Sequence, residues 1–166
     1  SPLEYSPEVP PIDLTATTTS GLQVEFSTDT PLVCAVSGTS LQILGAGTCV
    51  AVAYQPGDRT WNEVRVTQSI TIAKATQTIT FTQPDATTYG AGPLTLSAAS
   101  SAGLTVSFAS GTTTICTVTG SSVTILAAGT CTITASQAGS GNYSAATSVP
   151  RSITISKASQ AALVAV

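Results

Sequence analysis

The stretch "ICTVTGSSVTILAAGTCTITA", Ile115 to Ala135, alternates apolar residues with Thr and Ser in three short runs. A two-residue period marks a half-buried strand, since a helix would space its apolar residues at three and four. Gly-containing breaks at Thr119 to Ser122 and at Ala127 to Thr130 separate the runs. The stretch therefore reads as three strands joined by tight turns, with a cysteine on the first and third. It occurs twice, the earlier copy being "VCAVSGTSLQILGAGTCVAVA", Val33 to Ala53. Cys34 and Cys49 lie 82 positions before Cys116 and Cys131, and Gly38, Ile43, Leu44, Gly47 and Thr48 recur at Gly120, Ile125, Leu126, Gly129 and Thr130.

Working outward, the match extends from Ser20–Gly57 to Ala102–Gly139, and it sets Trp61 opposite Tyr143. Further on the offset becomes 83, so "SITIAKATQ" (Ser69 to Gln77) matches "SITISKASQ" (Ser152 to Gln160). Self-similarity over some 80 residues marks tandem units. In the second unit strands are predicted near 77–82, 94–99, 104–109, 115–118, 123–127, 130–137 and 152–156. Abundant Thr and Val suit a pleated, half-buried surface. Seven short strands at regular turn spacing predict an all-β fold, two tandem immunoglobulin-like antiparallel β-sandwiches of about seven strands each. The domains are expected at 1–75 and 76–157, with 158–166 as the start of a third repeat or a donated strand.

Charged residues make up 8% of the chain, against about 25% in ordinary globular proteins. The 42% of hydrophobic residues is enough for a core and argues against disorder. Residues 1–76 carry seven acids and three bases, and residues 77–166 one acid and two bases. Neither half has a basic patch, which argues against nucleic acid or anionic membranes as partners. No stretch approaches the roughly 18 apolar residues of a membrane-spanning helix. A start at Ser1 with no signal peptide suggests a processed protein or an excerpt of a longer one.

The second unit, from "ITFTQPDATTYGAGPLTLSAASSAGLTVSFAS" through "NYSAATSVPRSITISKA", resembles the bacterial Ig-like repeats of large secreted and surface-anchored proteins. The carriers are the "SGL.V.F" strand, the "C.V.G…LAAGTC.I.A" double-cysteine hairpin and the "Q.G..NY.AA" loop. The first unit departs from them in the last element, where "QPGDRTWNEV" (Gln55 to Val64) stands instead. The resemblance implies spacer, stalk or adhesive modules without catalytic residues.

Four cysteines allow three pairings, and the duplicated spacing favours Cys34 with Cys49 and Cys116 with Cys131. Zinc is the competing reading, but there is no CxxC knuckle and no His anywhere in the chain. Disulfides imply an oxidising, extracellular setting.

Without His the usual general base is missing. Lys74 and Lys157 are the remaining bases for a nucleophile, and their matching boundary positions suit a structural role. Paired carboxylates are hard to assemble when the second unit holds only Asp85. A Lys–Asn isopeptide bond would need Lys157 with Asn142, or Lys74 with Asn62, pairs that share no motif position. Calcium at Asp58 or Glu63 has too few carboxylates for six to eight oxygens. No enzyme activity, metal or cofactor is expected. Trp61 and Tyr143 are the candidate ligand contacts, for glycan or a host surface protein, although packing over the sandwich end is the plainer reading of both.

One asymmetry remains. The second unit opens with "ATQTITFTQ" (Ala75 to Gln83), whereas the first has the Pro-rich "SPLEYSPEVPP" (Ser1 to Pro11) and lacks its own first strand. The chain closes on "ASQAALVAV" (Ala158 to Val166), a further copy of that strand. Ala162, Val164 and Val166 fall where Ile79, Phe81 and Gln83 fall, with Leu163 between them. Either this is a segment of a tandem array beside neighbouring Ig-like repeats, or copies of the chain join head to tail by strand addition. The expected role is a non-enzymatic repeat of an extracellular bacterial surface stalk, adhesin or fibre.

Overall fold

The structure, a computed structural model, describes residues 3–160. Every regular element among them is a β-strand. The described residues divide into two compact units, the first made of residues 3–76 together with Ser140–Ser144, the second of Gln77–Gly139 and residues 145–160.

The first unit contains β1 (Leu3–Glu4), β2 (Ile12–Asp13), β3 (Glu25–Thr28), β4 (Cys34–Ser37), β5 (Ser40–Ile43), β6 (Gly47–Gln55) and β7 (Val64–Ala73). They form two sheets, β1-β7-β6-β3 and β2-β5-β4. The repeated cysteine phrase makes the β4–β5 hairpin, in register Cys34 to Ile43 and Ser37 to Ser40. Gly38 sits in its turn at φ 60°, the left-handed region where a side chain is strained. The Cys34–Cys49 disulfide ties β4 of one sheet to β6 of the other. Around it Leu41, Ile43 and Ile72 are buried, with Leu3, Tyr5, Ile12, Leu14 and Ile70 packed against them.

The second unit contains β8 (Ile79–Phe81), β9 (Thr87–Thr88), β10 (Leu94–Thr95), β11 (Ala98–Ser100), β12 (Ser107–Ser110), β13 (Cys116–Thr119), β14 (Ser122–Ile125), β15 (Gly129–Ser136) and β16 (Val149–Ser156). Its sheets are β12-β15-β16-β9, β10-β14-β13 and the pair β11-β8. The Cys116–Cys131 disulfide repeats the link between sheets. Its core is larger: Ile79, Phe81, Leu96, Val123, Ile133, Ala135, Ile153 and Ile155 are buried, and Val106, Phe108 and Val149 pack against them.

The strand predicted at 94–99 is in fact two. Leu94–Thr95 pairs with β14 and Ala98–Ser100 with β8, so the chain changes sheets at Leu96 and Ser97. The strand predicted to begin at Leu104 is paired only from Ser107. The last strand reaches back through Pro150 to Val149. That proline is tolerated because β9, on the other flank of β16, pairs only with Ile155 and Ser156.

Candidate functional site

The repeat lets each residue of the first unit be compared with its counterpart in the second. There β8 fills one side of the sandwich: Phe81 pairs with Ala98 and Ile79 with Ser100. The Phe81 ring stands 5.3 Å from that of Phe108. The Gln77 amide, just ahead of β8, donates to Gln137 Oε1 at 2.5 Å and accepts from Ser100 Oγ at 2.6 Å.

The first unit has no such strand among the described residues. In its place is an open groove of about 670 Å³ lined by Leu14, Ala16, Val24, Phe26, Ala51, Ala53, Gln55, Trp61, Val64 and Val66, with a Thr-rich rim at Thr15–Thr19. Most of these are counterparts of second-unit residues that touch β8 or the core around it. Leu96 is buried, but its counterpart Leu14 is half-buried; Ala98 is half-buried, but Ala16 is exposed. Val149 packs on the second core, while its counterpart Val66 is 60% exposed. Phe26, the counterpart of Phe108, faces the groove with no aromatic partner among the described residues. Residues Ala16–Thr18, matching β11, belong to no strand. No charged side chain lines the groove.

Trp61 stands on this groove, 46% exposed. Its loop is held by Asp58, whose carboxylate accepts from Thr60 N at 2.7 Å and Trp61 N at 2.8 Å, while Asp58 N donates to Trp61 O. Gly57, at φ 77°, lies so close beneath that a Cβ would meet Trp61 O at 2.3 Å. Tyr54 donates its hydroxyl to Glu63 Oε2 at 2.9 Å. That bond, with partial desolvation and the negative charges of Glu63 and Glu25, raises the phenol above its ordinary pKa. Both candidate calcium carboxylates are thus engaged in local bonds. Among the described residues no three His, Cys, Asp or Glu side chains cluster for a metal.

Tyr143, the other candidate contact, is half-buried, and its ring packs edge-on against Tyr5 at 5.8 Å. Trp61 and Tyr143 therefore serve different surroundings despite their aligned positions. Lys74 Nζ donates to Ser140 O at 2.7 Å, and Asn142 Oδ1 accepts from Ala46 N at 2.9 Å. Lys157 is exposed. The four cysteines are wholly buried in their two disulfides. Ala162, Leu163, Val164 and Val166 lie outside the described residues. Sequence reading passed over Phe26, Gln55 and Val66, although the repeat alignment alone sets them opposite Phe108, Gln137 and Val149.

No protein-family model matches the chain, and no curated protein does either. Among solved structures it is similar to domains 4 and 5 of the S-layer protein SbsC, at 14% identity, covering 85% of this chain and 78% of that one with a TM-score of 0.37. A second is Drosophila N-cadherin EC1-4, at 11% identity, covering 95% of this chain and 46% of that one with a TM-score of 0.36. TM-scores this low fall short of a shared fold, so function has to be argued from the chain's own residues.

Proposed function

We propose that the chain is a non-enzymatic structural repeat of an extracellular bacterial surface stalk, adhesin or fibre. What carries this reading is the duplicated unit, each copy with its own core and its own fully buried disulfide between its sheets. Buried disulfides suit an oxidising exterior. Each closes a short loop, a restriction of the unfolded chain worth about 3 kcal/mol. Five Lys and Arg in 166 residues leave few sites for basic-specific proteases. Pulling single molecules of the intact chain tests the mechanical role. Two separate unfolding peaks are expected, each lengthening when the thiols are reduced. Featureless extension at low force would contradict it.

The exposed Trp61 beside an apolar groove supports a second reading, an adhesive module that contacts glycan or a host surface protein. Aromatic faces stack on apolar faces of sugars and anchor protein interfaces. A glycan array probed with wild type and Trp61→Ala separates the two. A pure spacer gives no signal from either protein, whereas an adhesive module loses its signal on substitution.

A further inference from the structure

We propose that the groove of the first unit is an acceptor for a β-strand, and that its occupant is the segment Ala158–Val166 of a second copy of this chain. This names the joint of the assembly and rests on the reading of the chain as a fibre or stalk repeat.

The second unit shows what such a groove holds. There the slot is filled by the segment Ala75–Gln83, and "ASQAALVAV" repeats that segment at an offset of 83. The register follows residue by residue. Ala98 faces Phe81, Ala99 faces Thr80 and Ser100 faces Ile79. Their counterparts therefore set Ala16 against Val164, Thr17 against Leu163 and Thr18 against Ala162. Alternation then turns Ala162 and Val164 into the groove and Leu163 out of it. Val164 comes to Phe26 as Phe81 comes to Phe108.

Gln160 fixes the register independently. It stands at the place of Gln77, whose amide donates to Gln137 Oε1. Gln137 Oε1 also accepts from Gly139 N at 2.6 Å. The counterpart, Gln55, is buried in the groove wall, and its Oε1 accepts from Gly57 N at 2.8 Å. The second donor that Gln77 supplies has no equivalent among the described residues. The Gln160 amide is that donor. Charge agrees as well, since neither the groove nor the segment 158–166 contains a charged side chain. Donor and acceptor are different surfaces of one chain, so the contact repeats head to tail into an open filament rather than closing as a two-fold dimer.

The test uses the 166-residue chain and its lone tryptophan, Trp61, which lies on the groove. Sedimentation of wild type should show mass rising over about a hundred-fold range of concentration, as mass action requires. Electron microscopy should show filaments at the upper end. Val164→Asp should stay monomeric while keeping a native circular dichroism spectrum, and Leu163→Asp, on the outward parity, should still assemble. A synthetic peptide of residues 158–166, added to the Val164→Asp chain, should shift Trp61 emission to the blue. The same peptide with Gln160→Ala should bind roughly 2- to 10-fold more weakly, the worth of one hydrogen bond.

Wild type that remains monomeric, with no Trp61 response to the peptide, overturns the proposal. So does assembly that Val164→Asp leaves intact. A monomer whose groove still takes the peptide, or whose Trp61 is already covered by its own tail, overturns the second copy as occupant. Two force peaks in a chain that never assembles would sink this joint and leave the structural-repeat reading standing. Trp61-dependent glycan binding would sink the spacer reading without touching the joint.

Discussion

Glycine 57 and tryptophan 61 show how one backbone position controls a candidate contact. At φ 77° Gly57 is already where a side chain is strained, and an added Cβ would strike the Trp61 carbonyl. Gly57→Ala should therefore cost about 2 kcal/mol or more and change Trp61 emission, because the clash is with backbone that cannot swing aside. Gly38→Ala is the matched control. Its φ is 60° but no atom lies within 4 Å of the new Cβ, so only the strain remains, about 1 kcal/mol. Denaturant melts followed at Trp61 compare the two directly. Nearby, Tyr54 gives a pH signature. Its raised pKa means the folded chain holds the phenolic proton more tightly than the unfolded one. The stability from this bond is thus fully present below the ordinary tyrosine value of about 10 and is lost as pH rises through the higher folded value. An ultraviolet difference titration against Tyr54→Phe should find this phenol titrating late. Glu63→Gln should bring it back toward its ordinary value.

Phe26 and Phe108 occupy matching places on β3 and β12, yet among the described residues only Phe108 has an aromatic partner, the Phe81 ring of β8. Phe108→Ala should lower stability by about 3 kcal/mol, as for a packed core aromatic. Phe26→Ala should lower it by clearly less, because Phe26 is half-buried like Phe108 but lacks the ring contact that Phe108 makes with Phe81; parallel urea melts check the difference. The contrast also shows how much of the fold the sequence carried. Period-two runs and the doubled cysteine phrase located the β4–β5 and β13–β14 hairpins, because there burial and ladder pairing alternate together. At Leu104–Val106 they do not. The side chains alternate between half-buried and exposed, but no neighbouring strand completes a ladder, and hydrophobic period reports burial rather than pairing. The sheet change at Leu96–Ser97 escaped for a similar reason, since one apolar alternation runs through both short strands. The lack of a β8 counterpart among the described residues of the first unit could be read from the sequence repeat. The walls of the resulting groove could not, because Val64 and Val66 look like any strand residues until the partner that should cover them is missing.

At the scale of the whole molecule, the two units differ in how far their apolar residues are covered among the described residues, although they repeat one sequence pattern. The second buries Ile79 and Phe81 against Ile133, Ala135 and Ile153. The first leaves Trp61, Val64 and Val66 substantially exposed and has a smaller set of buried apolar residues. Stability in a repeat chain is close to a sum over its units, so calorimetry of the Val164→Asp chain should resolve two transitions with the first unit melting lower. Trp61 assigns them, since the only tryptophan lies in the first unit. A ligand that binds only the folded groove raises the stability of that unit by RT ln(1 + [L]/Kd), about 2.7 kcal/mol at a hundred times Kd. The 158–166 peptide should accordingly move the Trp61-reported transition upward with concentration and leave the other where it was. Wild type should show the same selective shift as protein concentration rises, with no peptide added. If both transitions move together, the strand is not binding in the first unit's groove. If the first unit already melts higher than the second without any occupant, its open face is compensated elsewhere and the packing deficit argued from Phe26 and Val66 is wrong.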